Sequence, residues 1–257
     1  MPANGPLLLV TRPQPQADEW VGTLHGLGCR AAALPLLDLA PPGDDEAVQA
    51  AWQGLARHVC VMFVSPSAAD RFFAQRPAHL AWPVQVQAAA TGPGTVRALL
   101  RAGLLPQQLI APPDDAAQFD SEALWHELAQ RGPWDGRSVL IVRGQGGRDW
   151  LAQTWRQAGA SVHTVEAYRR TTPVLTGAGQ ALLAAALDKP ADHVWLFSSS
   201  EAAGQLRHLA PQARWAASRA LATHPRIADA VRELGFGQVL GVAPAPQAVA
   251  HACAMMA

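Results

Sequence analysis

Six serine and threonine residues stand where a short apolar run of the chain gives way to a helical pattern. Small hydroxyl residues at such turns leave the first N–H groups of a helix free to meet an anion. The same residues also serve as ordinary N-caps, each worth about 1 kcal/mol of helix stability. For any one of them both roles stay open, and anion binding is favoured because the set recurs along the chain: Thr11, Ser65, Thr95, Ser121, Ser198 and Ser199.

Tyr168 is the only tyrosine of the 257 residues, and it ends a predicted strand that begins at Val162. A phenol, with an ordinary pKa of about 10, could donate a proton to a departing hydroxide. The alternative is an amphipathic residue at a domain edge, with its ring packed and its hydroxyl in water. Tyr168 is therefore the candidate catalytic residue, with the packing role left open.

The sequence favours neither a cofactor nor a metal. The loop Gly144-Gln145-Gly146-Gly147-Arg148 follows a predicted strand, but it lacks the third glycine of a dinucleotide fingerprint. The nine histidines are scattered without ligand spacing, and the three cysteines, Cys29, Cys60 and Cys253, are far apart. We predict no cofactor, no metal site and no disulfide framework.

Charge and the N-terminal pattern exclude further classes of function. Twenty basic residues balance twenty acidic ones, so the chain does not have the basic surface of a nucleic-acid-binding protein. Met1 to Val10 contain no basic segment and only a four-residue apolar run, unlike a signal peptide or a membrane span. We therefore expect a cytoplasmic protein with no nucleic acid and no membrane among its partners.

Short apolar runs alternate with helical patterns along the chain, which is typical of βαβ units around parallel sheets. Helical spacing from Ala17 to Leu27 ends at Gly28, and a similar segment runs from Asp149 to Gly159. The predicted strands are Leu7 to Val10, Cys60 to Val64, Val86 to Ala90, Ser138 to Val142, Val194 to Phe197 and Val239 to Val242.

The two halves of the chain match each other in kind and order, which indicates an internal repeat. Leu7 to Arg12 matches Val139 to Gly144, and in each half an amphipathic helix follows. Val61 to Ala69 matches Val194 to Ala203, and Ala90 to Val96 matches Ala222 to Ala228. The sequence therefore predicts two related α/β units.

Seven short motifs, in this order, resemble the bacterial members of the uroporphyrinogen-III synthase family. The resemblance spans nearly the whole chain, although each motif by itself is short. The motifs are Thr11-Arg12-Pro13, Val64-Ser65-Pro66-Ser67-Ala68, Gly92-Pro93-Gly94-Thr95, Ser121-Glu122, Tyr168-Arg169, Phe197-Ser198-Ser199-Ser200-Glu201-Ala202 and His224-Pro225-Arg226-Ile227-Ala228.

The resemblance implies an α/β fold of two flavodoxin-like, doubly wound parallel-sheet domains joined by a two-stranded linker. The first domain would be discontinuous, with residues 1–36 and 172–257, and the second would be 37–171. Crossovers beside Ala33 to Ala40 and Ala167 to Pro173 would let the domains open and close around a cleft.

The resemblance also implies a cofactor-free lyase reaction of tetrapyrrole biosynthesis. Hydroxymethylbilane would lose its terminal hydroxyl with help from Tyr168, invert ring D through a spiro intermediate and close to uroporphyrinogen III. The enzyme would be a monomer, and hydroxymethylbilane synthase is a candidate partner for handing over the substrate. The substrate carboxylates would bind at Thr11, Arg12, Ser65, Gly92, Thr95, Ser121, Arg143, Gly144, Arg148, Ser198, Ser199, His224 and Arg226.

The sequence departs from the family at Val64, where threonine is common, and at His224-Pro225-Arg226, which replaces Gly-Pro-Thr. Arg226 could compensate for the lost hydroxyl by binding a carboxylate directly. Two other classes have a duplicated α/β layout: periplasmic-type ligand receptors, which need an export signal, and nucleotide-sugar transferases, which are usually longer and need contacts for a base. Fold analogy alone excludes neither.

Overall fold

The computed structural model describes residues 5–256 and divides into two compact units. Unit 1 combines the chain up to Leu39 with the chain from Thr171 onward, and unit 2 is Ala40–Arg170. Unit 1 is therefore discontinuous in sequence. Two strands that are neighbours in one sheet, Asp38–Ala40 and Ser161–Thr171, carry the chain from one unit to the other.

Unit 1 contains a five-stranded parallel sheet with helices on both faces. The strands are β1 Leu7–Val10, β2 Ala31–Ala33, β9 His193–Phe197, β10 Arg219–Ala222 and β11 Gln238–Gly241. In space they follow the order β11-β10-β9-β1-β2. The helices are α1 Gln16–Gly26, α7 Gly177–Asp188, α8 Ser200–Leu209, α9 Pro225–Glu233 and α10 Pro246–Ala254.

Alternating side chains of the central strands build the two layers of this core, because successive residues of a strand point to opposite faces. Leu9, Trp195 and Phe197 pack with α7, α8 and α9. Leu8 and Val194 pack on the other face with α1 and α10. Strands buried on both sides explain why β1 and β9 read as continuous apolar runs.

Unit 2 contains a six-stranded sheet. The strands are β3 Asp38–Ala40, β4 Cys60–Phe63, β5 Gln87–Ala90, β6 Leu109–Ile110, β7 Ser138–Gly144 and β8 Ser161–Thr171. The helices are α2 Asp45–Gln53, α3 Pro66–Ala74, α4 Pro93–Arg101, α5 Ser121–Ala129 and α6 Trp150–Gln157. In space the strands follow the order β3-β8-β7-β4-β5-β6. Helices α5 and α6 cover one face of the sheet, and an aromatic cluster that includes Trp52 of α2 and Phe72 of α3, stacked at 4.7 Å, covers the other.

Segments that match in sequence occupy the same place in their sheets. The pair β1 and β9 is central in unit 1, as β7 and β4 are in unit 2, and β10 and β5 lie beside them. Unit 1 has the flavodoxin-like strand order, 2-1-3-4-5 within the unit. Unit 2 has the same spatial arrangement, but its chain enters at β4, so its connectivity is circularly permuted relative to unit 1.

The predicted α/β class and parallel sheets are confirmed, and the seven predicted strands, including the one from Val162 to Tyr168, all form. Gly28 and Gly159, after α1 and α6, have φ values of +77° and +87°, the left-handed region in which glycine is favoured. The sequence interpretation missed β2, β3 and β6, which have two or three residues, and β10, which is half alanine. Such strands are too short or too weakly apolar for periodicity to reveal them.

Candidate active site

The candidate site residues gather at the carboxyl edge of each sheet. In unit 1, α1 leaves β1 on one face and α8 leaves β9 on the other, and in unit 2 α6 and α3 leave β7 and β4 in the same way. Each sheet therefore has a topological switch point between two adjacent central strands. A crevice at such a point is where open α/β sheets bind ligands.

Tyr168 lies at the switch point of unit 2 with its side chain almost completely buried, 2% exposed. Its hydroxyl oxygen is 3.2 Å from Ser65 Oγ and accepts a hydrogen bond from Arg170 Nη2 at 3.1 Å. The guanidinium of Arg170 also lies 5.3 Å from the centre of the Tyr168 ring. The ring is packed, as the packing alternative expects, and the hydroxyl makes polar contacts with two protein groups.

Gly144 makes room for this arrangement at the end of β7. A Cβ atom there would lie 2.5 Å from Cζ of Tyr168 and 2.9 Å from its hydroxyl oxygen. Real Cβ atoms do not approach heavy atoms so closely, so a side chain at this position would displace the phenol. Gly144 was predicted to bind substrate. The structure shows that a glycine here leaves room for the Tyr168 side chain, which the sequence pattern did not reveal.

Two of the six serine and threonine candidates act as N-caps. Ser65 Oγ accepts from Ala68 N at 3.1 Å at the start of α3, and Ser199 Oγ accepts from Ala202 N at 3.4 Å at the start of α8. The other four do not cap a helix: Thr11, Thr95, Ser121 and Ser198. The capping explanation therefore covers a minority of the set.

Three of those four either form another hydrogen bond or lie close to the residue that caps the helix. Thr11 is fully buried and donates from Oγ1 to the Leu196 carbonyl at 2.7 Å, which ties the end of β1 to β9. Gly92 is the N-cap residue of α4 and has extended backbone, and the buried Thr95 donates its N–H to the Gly92 carbonyl. Ser121 is the first residue of α5, whose cap is the carboxylate of Asp120.

Two candidate arginines of unit 2 are held by nearby acceptors. Arg143 Nη1 lies 2.5 Å from Asp149 Oδ1, and its guanidinium also donates to the Gly146 carbonyl. The hydrogen bond and charge of Arg143 lower the pKa of the Asp149 carboxyl below its ordinary value. Arg148 Nη2 lies 2.5 Å from Glu122 Oε1. A substrate carboxylate would have to compete with these acidic groups for either guanidinium.

The candidate cations of unit 1 have different surroundings. His224 caps α9, with Nδ1 accepting from the Arg226 backbone N–H at 3.2 Å. The exposed Arg226 side chain places Nη2 3.5 Å from His224 Nε2. The guanidinium of Arg12 stacks 4.4 Å from the centre of the Trp20 ring. Arg226 thus carries a guanidinium at the start of α9, at the turn where the sequence lacks the usual hydroxyl.

A model of the protein family described as uroporphyrinogen-III synthase HemD matches residues 18–250. The chain belongs to the uroporphyrinogen-III synthase family. It is 30% identical over 239 residues to uroporphyrinogen-III synthase of Escherichia coli, which covers 90% of this chain and 93% of that protein. The corresponding protein of Salmonella typhimurium is 28% identical over 240 residues, with the same two coverages.

Solved structures with the same family name share the fold. Uroporphyrinogen-III synthetase from Helicobacter pylori matches with a TM-score of 0.58 and 14% identity, over 98% of this chain and 100% of that one. A mutant uroporphyrinogen III synthase from the extremely thermophilic bacterium Thermus thermophilus matches with a TM-score of 0.55 and 18% identity, over 91% of each chain. The two-domain α/β fold of the uroporphyrinogen-III synthase family is thus the fold found here.

Arg170 is the contact of Tyr168 that sequence reasoning did not select. The family motif places an arginine directly after the tyrosine, at Arg169, whose Nε instead donates to the Pro41 carbonyl at 3.2 Å. Residues two apart on a strand share a face of the sheet, so Arg170 and Tyr168 can meet while Arg169 points away. The period of two in β8 was the signal that could have identified Arg170.

Between residues 5 and 256, no group of three or more histidine, cysteine, aspartate or glutamate side chains could hold a metal ion. Within the same range no helix is long and apolar enough to cross a membrane.

Proposed function

We propose that this protein cyclises hydroxymethylbilane to uroporphyrinogen III, using the carboxyl edges of its sheets to hold the substrate. The family match over residues 18–250 is the observation that supports this activity, which is that of a cyclising lyase in tetrapyrrole biosynthesis. The substrate is a small molecule. The structure contributes the residues that could perform each part of the reaction.

The reaction places its main demand on geometry. Once the terminal hydroxyl departs, the resulting azafulvene is reactive enough to close without help to the isomer in which ring D is not inverted. The enzyme must hold the chain so that the substituted carbon of ring D attacks first and the spiro intermediate forms. Catalysis of this kind relies on orientation, which can contribute several kcal/mol to lowering a barrier.

Tyr168 is the proposed proton donor to the departing hydroxide. Its oxygen accepts from Arg170, so the phenolic proton is directed elsewhere, towards Ser65 Oγ or towards a ligand that replaces it. Burial against Gly144 fixes the ring, which limits the positions from which the proton can be delivered. Protein contacts thus orient the hydroxyl before substrate binds.

The substrate carboxylates are proposed to bind the N-terminal turns of α3 and α4 in unit 2 and of α8 and α9 in unit 1. The N–H groups and the helix dipole favour an anion at such a turn. The rest of the predicted set flanks these turns and is proposed to contribute hydroxyl, backbone or guanidinium contacts: Thr11, Arg12, Ser121, Arg143, Gly144, Arg148 and Ser198.

The domain boundaries and the cellular setting also belong to the proposal. The compact units support two domains, for which the sequence predicted 1–36 with 172–257, and 37–171. We propose a monomer that acts in the cytoplasm and receives its substrate from hydroxymethylbilane synthase. Gel filtration at assay concentration tests the monomer, and a substrate-trapping assay with both enzymes present tests the transfer.

A coupled assay tests the activity itself. Freshly made hydroxymethylbilane is supplied to the purified protein, and the oxidised products are separated by chromatography into type I and type III isomers. We expect type III to dominate without an added cofactor. Type I alone, formed at the uncatalysed rate, would refute the proposed activity.

A further inference from the structure

Cys29 and Cys253 are 224 positions apart in sequence, yet they lie in the same core layer of unit 1, where Cys29 packs against the cluster that contains Cys253. Cys29 follows Gly28 just after α1, and Cys253 lies in the last turns of α10. That separation in sequence predicts no disulfide framework. Sheet topology brings the two residues into one core layer by placing α1 and α10 side by side on one face of the five-stranded sheet.

A backbone hydrogen bond holds the segment that carries Cys29, and core packing holds the segment that carries Cys253. The Cys29 N–H donates to the Leu24 carbonyl at 2.9 Å, in the turn that ends α1 at the positive-φ Gly28. Cys253 packs in the core layer formed by α1 and α10, with Leu24 and Val249 among its members. The pair therefore joins the N-terminal and C-terminal segments from which the discontinuous unit 1 is built.

The two thiols differ in access and in electrostatics. Cys29 is partly exposed, whereas Cys253 is 2% exposed. The Cys29 thiol lies 3.7 Å from the Arg30 carbonyl oxygen, to which it donates. The interaction between the two cysteine side chains lowers the pKa of the Cys29 thiol and raises that of Cys253, which burial raises further. Because the thiolate is the nucleophile, Cys29 is the thiol that would react with an oxidant first.

Cys60 provides an internal comparison. It lies in the core of unit 2, 1% exposed, and burial raises the pKa of its thiol to about 12. It is also in the other compact unit from Cys29 and Cys253. Cys60 should therefore stay reduced while the pair reacts.

We propose that Cys29 and Cys253 are a peroxide-sensitive thiol pair that closes to an intramolecular disulfide. The Cys29 thiolate attacks one oxygen of hydrogen peroxide, the O–O bond breaks, and the hydroxide released takes a proton to become water. Cys253 then attacks the sulfur of the Cys29 sulfenic acid, the S–S bond forms, and the S–O bond breaks with loss of a second water. Two thiols lose two electrons in total, and peroxide is reduced to two waters.

Peptide mapping of the full-length protein tests the proposal. Reduced protein is treated with a few equivalents of hydrogen peroxide, alkylated under denaturing conditions and digested with trypsin. We expect a peptide that contains Cys29 linked to the C-terminal peptide that contains Cys253, released by reductant, and an alkylated peptide 58–71 that retains reduced Cys60. Links between chains, a link through Cys60, or equal oxidation of all three thiols would overturn the proposal.

Single substitutions separate the two steps. In Cys253→Ser the sulfenic acid has no resolving thiol, so dimedone should label Cys29 at least about tenfold faster than Cys60. In Cys29→Ser the remaining cysteines should resist the same peroxide dose, whereas Cys60→Ala should form the disulfide like the wild type. Since Cys253 is buried, wild-type mapping and Cys29→Ser decide the matter if Cys253→Ser does not fold. Rapid oxidation of Cys253 in Cys29→Ser would contradict the proposed order.

Discussion

The hydroxyl oxygens of Ser65 and Tyr168 lie 3.2 Å apart although 103 positions separate the residues in sequence. Ser65 caps α3 at the end of β4, and Tyr168 lies on β8, with β7 between these strands in the sheet. The contact is possible because Gly144, at the end of β7, has no side chain to block it. One glycine thus lets two polar groups from non-adjacent strands meet.

Tyr168→Phe should lower kcat for type III product and change KM little. The variant keeps the ring against Gly144 and removes only the hydroxyl, and general-acid groups commonly contribute about 10²-fold or more. The measurement is steady-state kinetics with product separation. A kcat equal to that of the wild type would show that hydroxide departs without this group.

Gly144→Ala should destabilise the protein by about 1–3 kcal/mol, since the new methyl group overpacks the Tyr168 ring. Urea unfolding measures the change, and the coupled assay should show reduced type III formation. Gly22→Ala is the matched control, because Gly22 is exposed within α1 and a Cβ there meets nothing within 4 Å. That control should be more stable by about 0.5–1 kcal/mol. Equal stability changes in the two variants would contradict the steric argument.

Ser65→Ala should cost about 1 kcal/mol in the free energy of unfolding through loss of the α3 cap. Ser199→Ala removes the equivalent cap of α8 in unit 1 and should cost a similar amount. The two variants should differ in a double-mutant cycle with Tyr168→Phe, where only Ser65 shares a hydrogen bond with the phenol. Coupling energies of equal size for both serines would indicate that the Ser65–Tyr168 hydrogen bond does not contribute to stability.

Arg226→Ala should raise KM for hydroxymethylbilane by about tenfold if its guanidinium binds a substrate carboxylate, since such charge-assisted bonds are worth roughly 1.5–3 kcal/mol. Arg232→Ala is the control on the same helix, because Arg232 is exposed and pairs with Asp229 at 2.9 Å. The control should leave KM unchanged. Unchanged kinetics in Arg226→Ala would remove that residue from the proposed site.

Protonation of His58 should make the protein less stable as pH falls. Burial and the neighbouring charges of His163 and Arg57 lower the pKa of His58 from 6.5 to about 4. Between pH 6.5 and 4 the unfolded chain takes up a proton that the folded chain does not. Between pH 7.5 and pH 5 this residue should therefore lower the free energy of unfolding by about 2 kcal/mol. Well above the unfolded pKa it should have no such effect.

His58→Asn tests this by urea unfolding at the two pH values. The variant is expected to show a smaller pH-dependent loss than the wild type, whatever its stability at pH 7.5. His208→Gln, which changes an exposed histidine of α8, is expected to keep the wild-type dependence. An identical loss in His58→Asn and the wild type would contradict the shifted pKa.

The sequence by itself determined the α/β class, the central strands, the ends of α1 and α6, the internal repeat and the family. These features are local, or repeat local patterns: an apolar run marks a buried strand, and a glycine after an amphipathic segment marks where a helix stops. The same local signals selected Ser65, Tyr168 and Arg226 as candidates, whose roles in the reaction stay predictions.

Tertiary structure alone decided which of these residues meet. The Ser65–Tyr168 bond depends on the strand order β8-β7-β4, and the proposed pairing of Cys29 with Cys253 depends on α1 and α10 sharing a face of the other sheet. Neither order can be deduced from the spacing of residues in the chain, because unit 1 is split and unit 2 is circularly permuted. Long-range contacts follow from how strands are arranged in space, which no local pattern encodes.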